Sequence, residues 1–263
     1  MKVYIFTDYG NAFVLEILKT LLTSNGNEVE VVTSIHHLNP DSNVIISTGV
    51  YTQSQIFQRY YGNNNIYFMI DNKIQFYDYI SRNMHLCNNH NISLIPSYNK
   101  SYTGPSITKN FMLKAANGFS CKFNEVMHGN VYDLINRYSH THQIQDILDV
   151  KNIYGVSICC KFGKILAAYS YLTQGPISTT SFHAERNCEI RIPEVRGFLK
   201  DMVANLQLHG IIEVEFIIHP SNKIYLMECN PRISGSIRVP DFYNSIIRTY
   251  LRTFCDKTAI GLF

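Results

Sequence analysis

The chain has 263 residues, 46% of them hydrophobic and 16% charged, with a formal net charge of +3 at pH 7. It can bury a full core, which rules out disorder as the main state, and its length fits one large domain or two small lobes. Its apolar runs fall short of the roughly eighteen residues that span a bilayer, no five basic residues are consecutive, and the seven cysteines include no C-x-x-C pair, so a helical membrane protein, an electrostatic nucleic-acid binder and a disulfide or zinc scaffold are set aside.

In chain order, VYIFT (3–7) reads as a first strand rather than a signal peptide, because Asp8 interrupts the apolar run and no small-residue cleavage site follows. A soluble, cytoplasmic protein with reduced thiols is therefore expected. Asn11 is placed to cap a helix in which Val14, Leu15, Leu18, Leu21 and Leu22 share one face. After a turn cluster at 24–27, strands are expected at 29–32, 43–48 and 66–70, with a helix at 52–60 between the last two. A helix from about 72 to 90 leads to a strand at 92–96. Strands alternating with helices imply a parallel sheet covered on both faces.

A stretch rich in Ser, Tyr, Asn, Gly and Pro between Pro96 and Lys109 marks a boundary. Beyond it the pattern gives strands at 111–114 and 120–127, a helix at 131–138, a strand at 143–148, and a hairpin of YGVSICCKF and KILAAYSYL turning at Gly163. A long polar connection covers 173–192. The helix at 194–208 carries Val195, Phe198, Leu199, Met202 and Leu206 on one side. A second hairpin then pairs IIEVEFII (211–218) with KIYLMECN (223–230).

That second hairpin carries the chemistry. Glu213 and Glu215 share a strand face because side chains alternate with period two. A turn centred between 221 and 222 places Glu215 opposite Glu228, two residues before Asn230. Two carboxylates and an amide oxygen then meet, an arrangement that like-charge repulsion disfavours unless a cation lies between them. An all-oxygen set of this kind suits magnesium, which keeps waters and accepts phosphate oxygens as ligands. A solvated strand face would also explain the glutamates, but the continuation Glu228-Cys229-Asn230-Pro231-Arg232 favours the metal. Arg232, always charged and able to fork onto carboxylate or phosphate oxygens, would neutralise charge beside such a site.

GIIEVEFIIHPSNKIYLMECNPRISGS (210–236) resembles the C-terminal signature of the ATP-grasp superfamily, closest in flavour to its carbamoyl-phosphate synthetase and biotin carboxylase branch. The resemblance implies an α/β ATP-grasp fold: an N-terminal Rossmann-like parallel lobe (1–95), a central α+β lid lobe (96–173) and a C-terminal antiparallel-sheet α+β lobe (174–263). It implies that Glu215, Glu228 and Asn230 hold two Mg²⁺ ions, or Mn²⁺, and that Arg232 stabilises charge at the transferred group. FMLKAANGFSCKF (111–123) is similar to the family's strand–glycine loop–strand. There Lys114 would reach nucleotide phosphates and the loop containing Gly118 and Ser120 would offer them backbone N–H groups. Lys73, about forty residues upstream of Lys114, resembles the family's other nucleotide cation. HQIQDILD (142–149) looks like the strand crossing the adenine edge, with Gln145 leading into the backbone of Asp146 to Leu148 and Asp149 at the ribose. His183, Arg186 and Ser234 would approach the acceptor substrate.

The activity so implied is that of an ADP-forming, ATP-dependent ligase. A substrate carboxylate would be activated as an acyl phosphate and attacked by an amine, a thiol or a similar nucleophile. The implied partners are a small-molecule carboxylate and amine, with no nucleic acid and no membrane, and a homodimer is allowed. Positioning and charge neutralisation need no protein nucleophile, and no G-x-S-x-G is present. The alternative is a non-catalytic relative that binds nucleotide as a sensor or partner-binding module, since no separate acceptor-binding domain is evident. An enzyme working on a dinucleotide alone is disfavoured, because TDYGNAF (7–13) lacks G-x-G-x-x-G.

Overall fold

The computed structural model describes residues 1–7, 12–36, 38, 43–61, 65–116, 124–173, 184–233, 237 and 240–255. The first third folds as the apolar pattern requires. Strands β1 (Lys2–Phe6), β2 (Glu28–Val32) and β3 (Val44–Ser47) form a parallel sheet in the order β2-β1-β3. Helix α1 (Ala12–Ser24) lays Val14, Leu18 and Leu22 against that sheet. Helices α2 (Val50–Tyr61), α3 (Asn65–Asp71), α4 (Lys73–Arg82) and α5 (His85–Asn88) follow.

Two expectations are corrected here. The run IYFMI, expected as a strand at 66–70, is helical in α3. A short apolar run does not distinguish a buried strand from a buried helix; here Tyr67 and Ile70 are buried one turn apart while Phe68 faces out. The single helix expected over 72–90 is two. Asn83 ends α4 by donating its N–H to Tyr79 and Ile80 carbonyls, and α5 restarts at His85. At the other end of α4 the Asn72 side chain caps the Gln75 N–H, which fixes where Lys73 emerges.

Strand β4 (Ile92–Leu94) leaves the N-terminal lobe and pairs parallel with a strand far downstream. A four-stranded antiparallel sheet then forms in the order β5-β8-β6-β7, from β5 (Ser97–Tyr98), β6 (Thr108–Ala115), β7 (Asn124–Asn130) and β8 (His142–Asp146). Helix α6 (Val131–Tyr138) covers one face of it, burying Phe111, Leu113, Ile144, Val131, Leu134 and Ile135 together. The opposite face is left for the site.

The third sheet has six strands, ordered β11-β10-β9-β12-β13-β4: β9 (Asn152–Lys161), β10 (Lys164–Thr173), β11 (Ala184–Asn187), β12 (Gly210–Ile218), β13 (Ile224–Asn230) and β4. Both expected hairpins are therefore in one sheet. Helix α7 (Pro193–Asn205) packs Val195, Phe198, Leu199, Met202 and Val203 on one face of this sheet together with Phe76, Tyr77 and Ile80 of α4. Each side chain so buried contributes roughly 1.5–3 kcal/mol. The chain continues through α8 (Pro240–Phe242), a π-helical turn at Tyr243–Ile247 and α9 (Arg248–Cys255), whose Tyr250 hydroxyl donates to the Ile45 carbonyl and ties the C-terminal lobe to the N-terminal sheet. Cys87, Cys159, Cys160, Cys188 and Cys229 are free thiols. No described helix is long and apolar enough to cross a membrane.

Where these lobes meet, Tyr67 donates to the carbonyl of His209 and accepts its N–H, and the His209 ring is only 3% exposed. Burial, helped by Lys161, pushes the imidazole down to about 3. The folded protein thus keeps His209 neutral where the unfolded chain, titrating near 6.5, takes up a proton. The stability this provides is present above pH 6.5 and is lost as pH falls toward 3, at up to about 1.4 kcal/mol per pH unit. His209→Gln is expected to flatten the fall in thermal midpoint below pH 6.5. An unchanged acid limb in calorimetry would show that this ring does not set it.

Candidate functional site

The six-stranded sheet places the candidate residues in two transverse rows. Residues paired across strands share a face, so the ladder runs Arg186–Tyr171–Gly155–Glu215–Glu228 in one row and Tyr169–Ser157–Glu213–Asn230 in the next. Both acids of the expected pair stand directly opposite each other. A β-bulge makes this possible. Between Glu215 and Phe216 the register shifts, because Met227 is an extra residue on β13. Before the bulge, Ile224 and Leu226 face the apolar cluster under α4 and α7; after it, Cys229 does. The bulge thus exchanges the phase of the strand and turns Glu228 and Asn230 to the side of Glu213 and Glu215.

Hydrogen bonds fix the rows. Tyr171 donates its hydroxyl to Glu215 Oε1 at 2.6 Å, Ser157 donates to Glu213 Oε2 at 2.8 Å, and Asn230 Nδ2 donates to Glu228 Oε1 at 3.0 Å. Gly155 is required under Tyr171. A Cβ there would lie closer than 3.0 Å to the tyrosine ring and hydroxyl, so only glycine lets the ring lie across the strand and reach Glu215. Lys73 Nζ lies 3.9 Å from Glu228 Oε2.

Charge is shared unequally between the two facing acids. Burial, then Glu228 and Glu213, raise the Glu215 carboxyl, to about 8. Burial also works against Glu228, but Lys73, Lys114, the Asn230 hydrogen bond and Arg232 outweigh it and hold that carboxyl below its usual range. Lys114, 8% exposed, is lowered by burial, drawn up by Glu228 and Glu215 and pushed down by Lys73. Arg232, whose N–H donates to the Asn230 carbonyl at 2.8 Å, and Lys73 both act on Asp71, whose carboxyl burial raises.

Lys114 belongs to the buried face of the four-stranded sheet that α6 does not cover. It stands opposite Gln143, and Met112 stands opposite Gln145, so these four side chains share the face turned away from α6. Asp146 points the other way. Its carboxylate accepts from the Tyr98 hydroxyl at 2.8 Å and pairs with Lys109 at 2.7 Å, and its N–H donates to the Pro96 carbonyl. Leu148 packs against Ile95, Ile153 and Ile217, and Asp149 is exposed. Arg186 is exposed at the outer end of the first row. Gly118, Ser120, His183 and Ser234 lie outside the described residues.

Sequence reasoning brought Glu215, Glu228, Asn230, Arg232, Lys73 and Lys114 to one region. It missed Asp71, Tyr171, Ser157 and Gln143. Asp71 directly precedes the helix start that delivers Lys73. Tyr171 and Ser157 could be found only by aligning both hairpins in one sheet, with Gly155 as the signal that a ring lies over it.

Among the described residues no three His, Cys, Asp or Glu side chains enclose a metal position by themselves. The donor set nevertheless fits a magnesium site. Two facing carboxylates that cannot both ionise cheaply, plus one amide, supply three oxygens, and magnesium takes its remaining ligands from water and phosphate.

No family model matches the chain, and no curated protein matches its sequence. Solved structures do match its fold. D-alanyl-alanine synthetase A of Vibrio cholerae is 11% identical over 100% of this chain and 99% of its own, with a TM-score of 0.64. N5-carboxyaminoimidazole ribonucleotide synthetase of Thermotoga maritima is 13% identical over 89% of this chain and 69% of its own, with a TM-score of 0.55. A RiPP-associated ATP-grasp ligase of Chryseobacterium gregarium, solved with ADP and a leader and core peptide, is 11% identical over 97% of both chains, with a TM-score of 0.54. At such identities the likeness is one of fold.

Proposed function

We propose that this chain, which has the ATP-grasp fold, is an ADP-forming ligase that activates a substrate carboxylate at the expense of ATP. The observation that carries the reading is the row in which Glu215 faces Glu228 beneath Lys73, Lys114 and Arg232. Glu215, Glu228 and Asn230 would hold magnesium, which when bound neutralises phosphate charge and polarises the transferred phosphoryl group. Lys114 and Lys73 bring cations to the phosphates from two lobes, and Arg232 offsets charge that grows at the transferred group. A carboxylate oxygen of the substrate attacks the γ-phosphorus, the bond to the β-phosphate oxygen breaks, and ADP leaves. An amine or similar nucleophile then attacks the acyl carbon, expelling inorganic phosphate and releasing a proton to solvent. Arg186, exposed at the end of the row, is the candidate to bind the substrate's carboxylate.

The test is a thermal-shift titration with Mg–ATP followed by ADP detection across amino acids, short peptides and other carboxylate–amine pairs. Stabilisation with ADP release for some pair is the expected result. Stabilisation without ADP release from any pair would favour a nucleotide-binding, non-catalytic role, and no stabilisation at all would overturn the nucleotide reading.

A further inference from the structure

Resting on the nucleotide reading above, we propose that the side-chain amide of Gln143 reads the base of the bound nucleotide and selects adenine over guanine. Gln143 is 5% exposed, yet neither its Oε1 nor its Nε2 has a hydrogen-bond partner within the chain. A buried polar group left unpaired is destabilising, and a leucine would fill the Gln143 position without that penalty. Such a group calls for an explanation, and a polar guest held on this face supplies one.

The chemistry of the amide narrows the guest. Phosphate oxygens only accept hydrogen bonds, so a triphosphate could satisfy Nε2 and would leave Oε1 facing another acceptor. A guest that satisfies both atoms must present a donor beside an acceptor, as the edge of a nucleobase does. Adenine offers its N6 amino group and N7, the pair that an Asn or Gln amide meets bidentately. Guanine offers O6 and N7, two acceptors, and leaves Oε1 unpaired. The register locates this contact. Gln143 stands opposite Lys114, so it sits beside the phosphate-binding cation, while Gln145 lies two residues nearer the strand's end, about 7 Å further along.

Isothermal titration of the full chain with the Mg²⁺ complexes of AMP-PNP and GMP-PNP and with Mg–tripolyphosphate tests this, using wild type, Gln143→Leu and Gln143→Met. Both variants are expected to lose about tenfold or more in AMP-PNP affinity and to lose the preference over GMP-PNP. Tripolyphosphate binding should stay within about twofold, and the ligand-free thermal midpoint should hold or rise. AMP-PNP affinity unchanged in both variants overturns the inference, as does an equal loss for tripolyphosphate or a lowered ligand-free midpoint in both. Wild type binding none of the three probes overturns the nucleotide reading as well, which separates the two failures.

Discussion

Glu228→Gln is expected to lower Mg–ATP turnover by about 10³-fold while shifting the thermal midpoint by no more than about 2 °C. The side chain keeps its shape, and its amide oxygen can still accept from Asn230 Nδ2. What disappears is the charge that Lys73, Lys114 and Arg232 hold in place against burial. Two stability effects oppose one another. The lysines lose an ionised neighbour, whereas Glu215, whose carboxyl is raised by burial and by Glu228, is relieved of like-charge repulsion. The chemistry has no such compensation, because a neutral amide is a far weaker partner for a divalent cation than a carboxylate. ADP release and calorimetry on the same preparation check both halves. Retained turnover would refute the assignment of Glu228 to the cation and phosphates.

Gly155→Ala is expected to cost about 2–3 kcal/mol of stability, a fall of roughly 4–12 °C in thermal midpoint for a chain of this size. Strand β9 is paired on both sides, with β10 and β12, so its backbone has no room to yield. The new methyl group would overlap the Tyr171 ring, which must leave the sheet, expose apolar surface and abandon Glu215. Tyr171→Ala made in addition removes the clashing ring. The double variant is therefore expected to be more stable than the sum of the single losses predicts, the mark of a shared cause. A Gly155→Ala midpoint within about 2 °C of wild type would show that the ring is not held as described.

How much of this could be read from the sequence follows from how far apart the interacting residues lie. Helix α6 came out with its observed limits because its signals are local: Asn130 caps it and Val131, Leu134 and Ile135 repeat at helical spacing. The opposition of Glu215 and Glu228 follows in the sequence from a turn centred between 221 and 222. The turn is in fact centred on 221, where Ile218 pairs with Ile224, and it is the extra residue Met227, which no local signal announces, that brings the two acids opposite each other. Tyr171 and Glu215 are 44 residues apart and meet only through the pairing of β9 with β12. Gln143 joins the site through its register with Lys114, and no periodicity in β8 alone tells the face that α6 covers from the other. IYFMI failed for a different reason: what decides its conformation is the lobe packed over it, not its composition.

The extra residue at Met227 bears on how this hairpin is compared with any other. A residue-by-residue superposition of 224–230 on an uninterrupted strand would set Met227 against Glu215 and Cys229 against Glu213, leaving the acid and the amide apparently substituted. Read that way, a functional site would be mistaken for a decayed one. A one-residue gap after Leu226 restores Glu228 and Asn230 to their places.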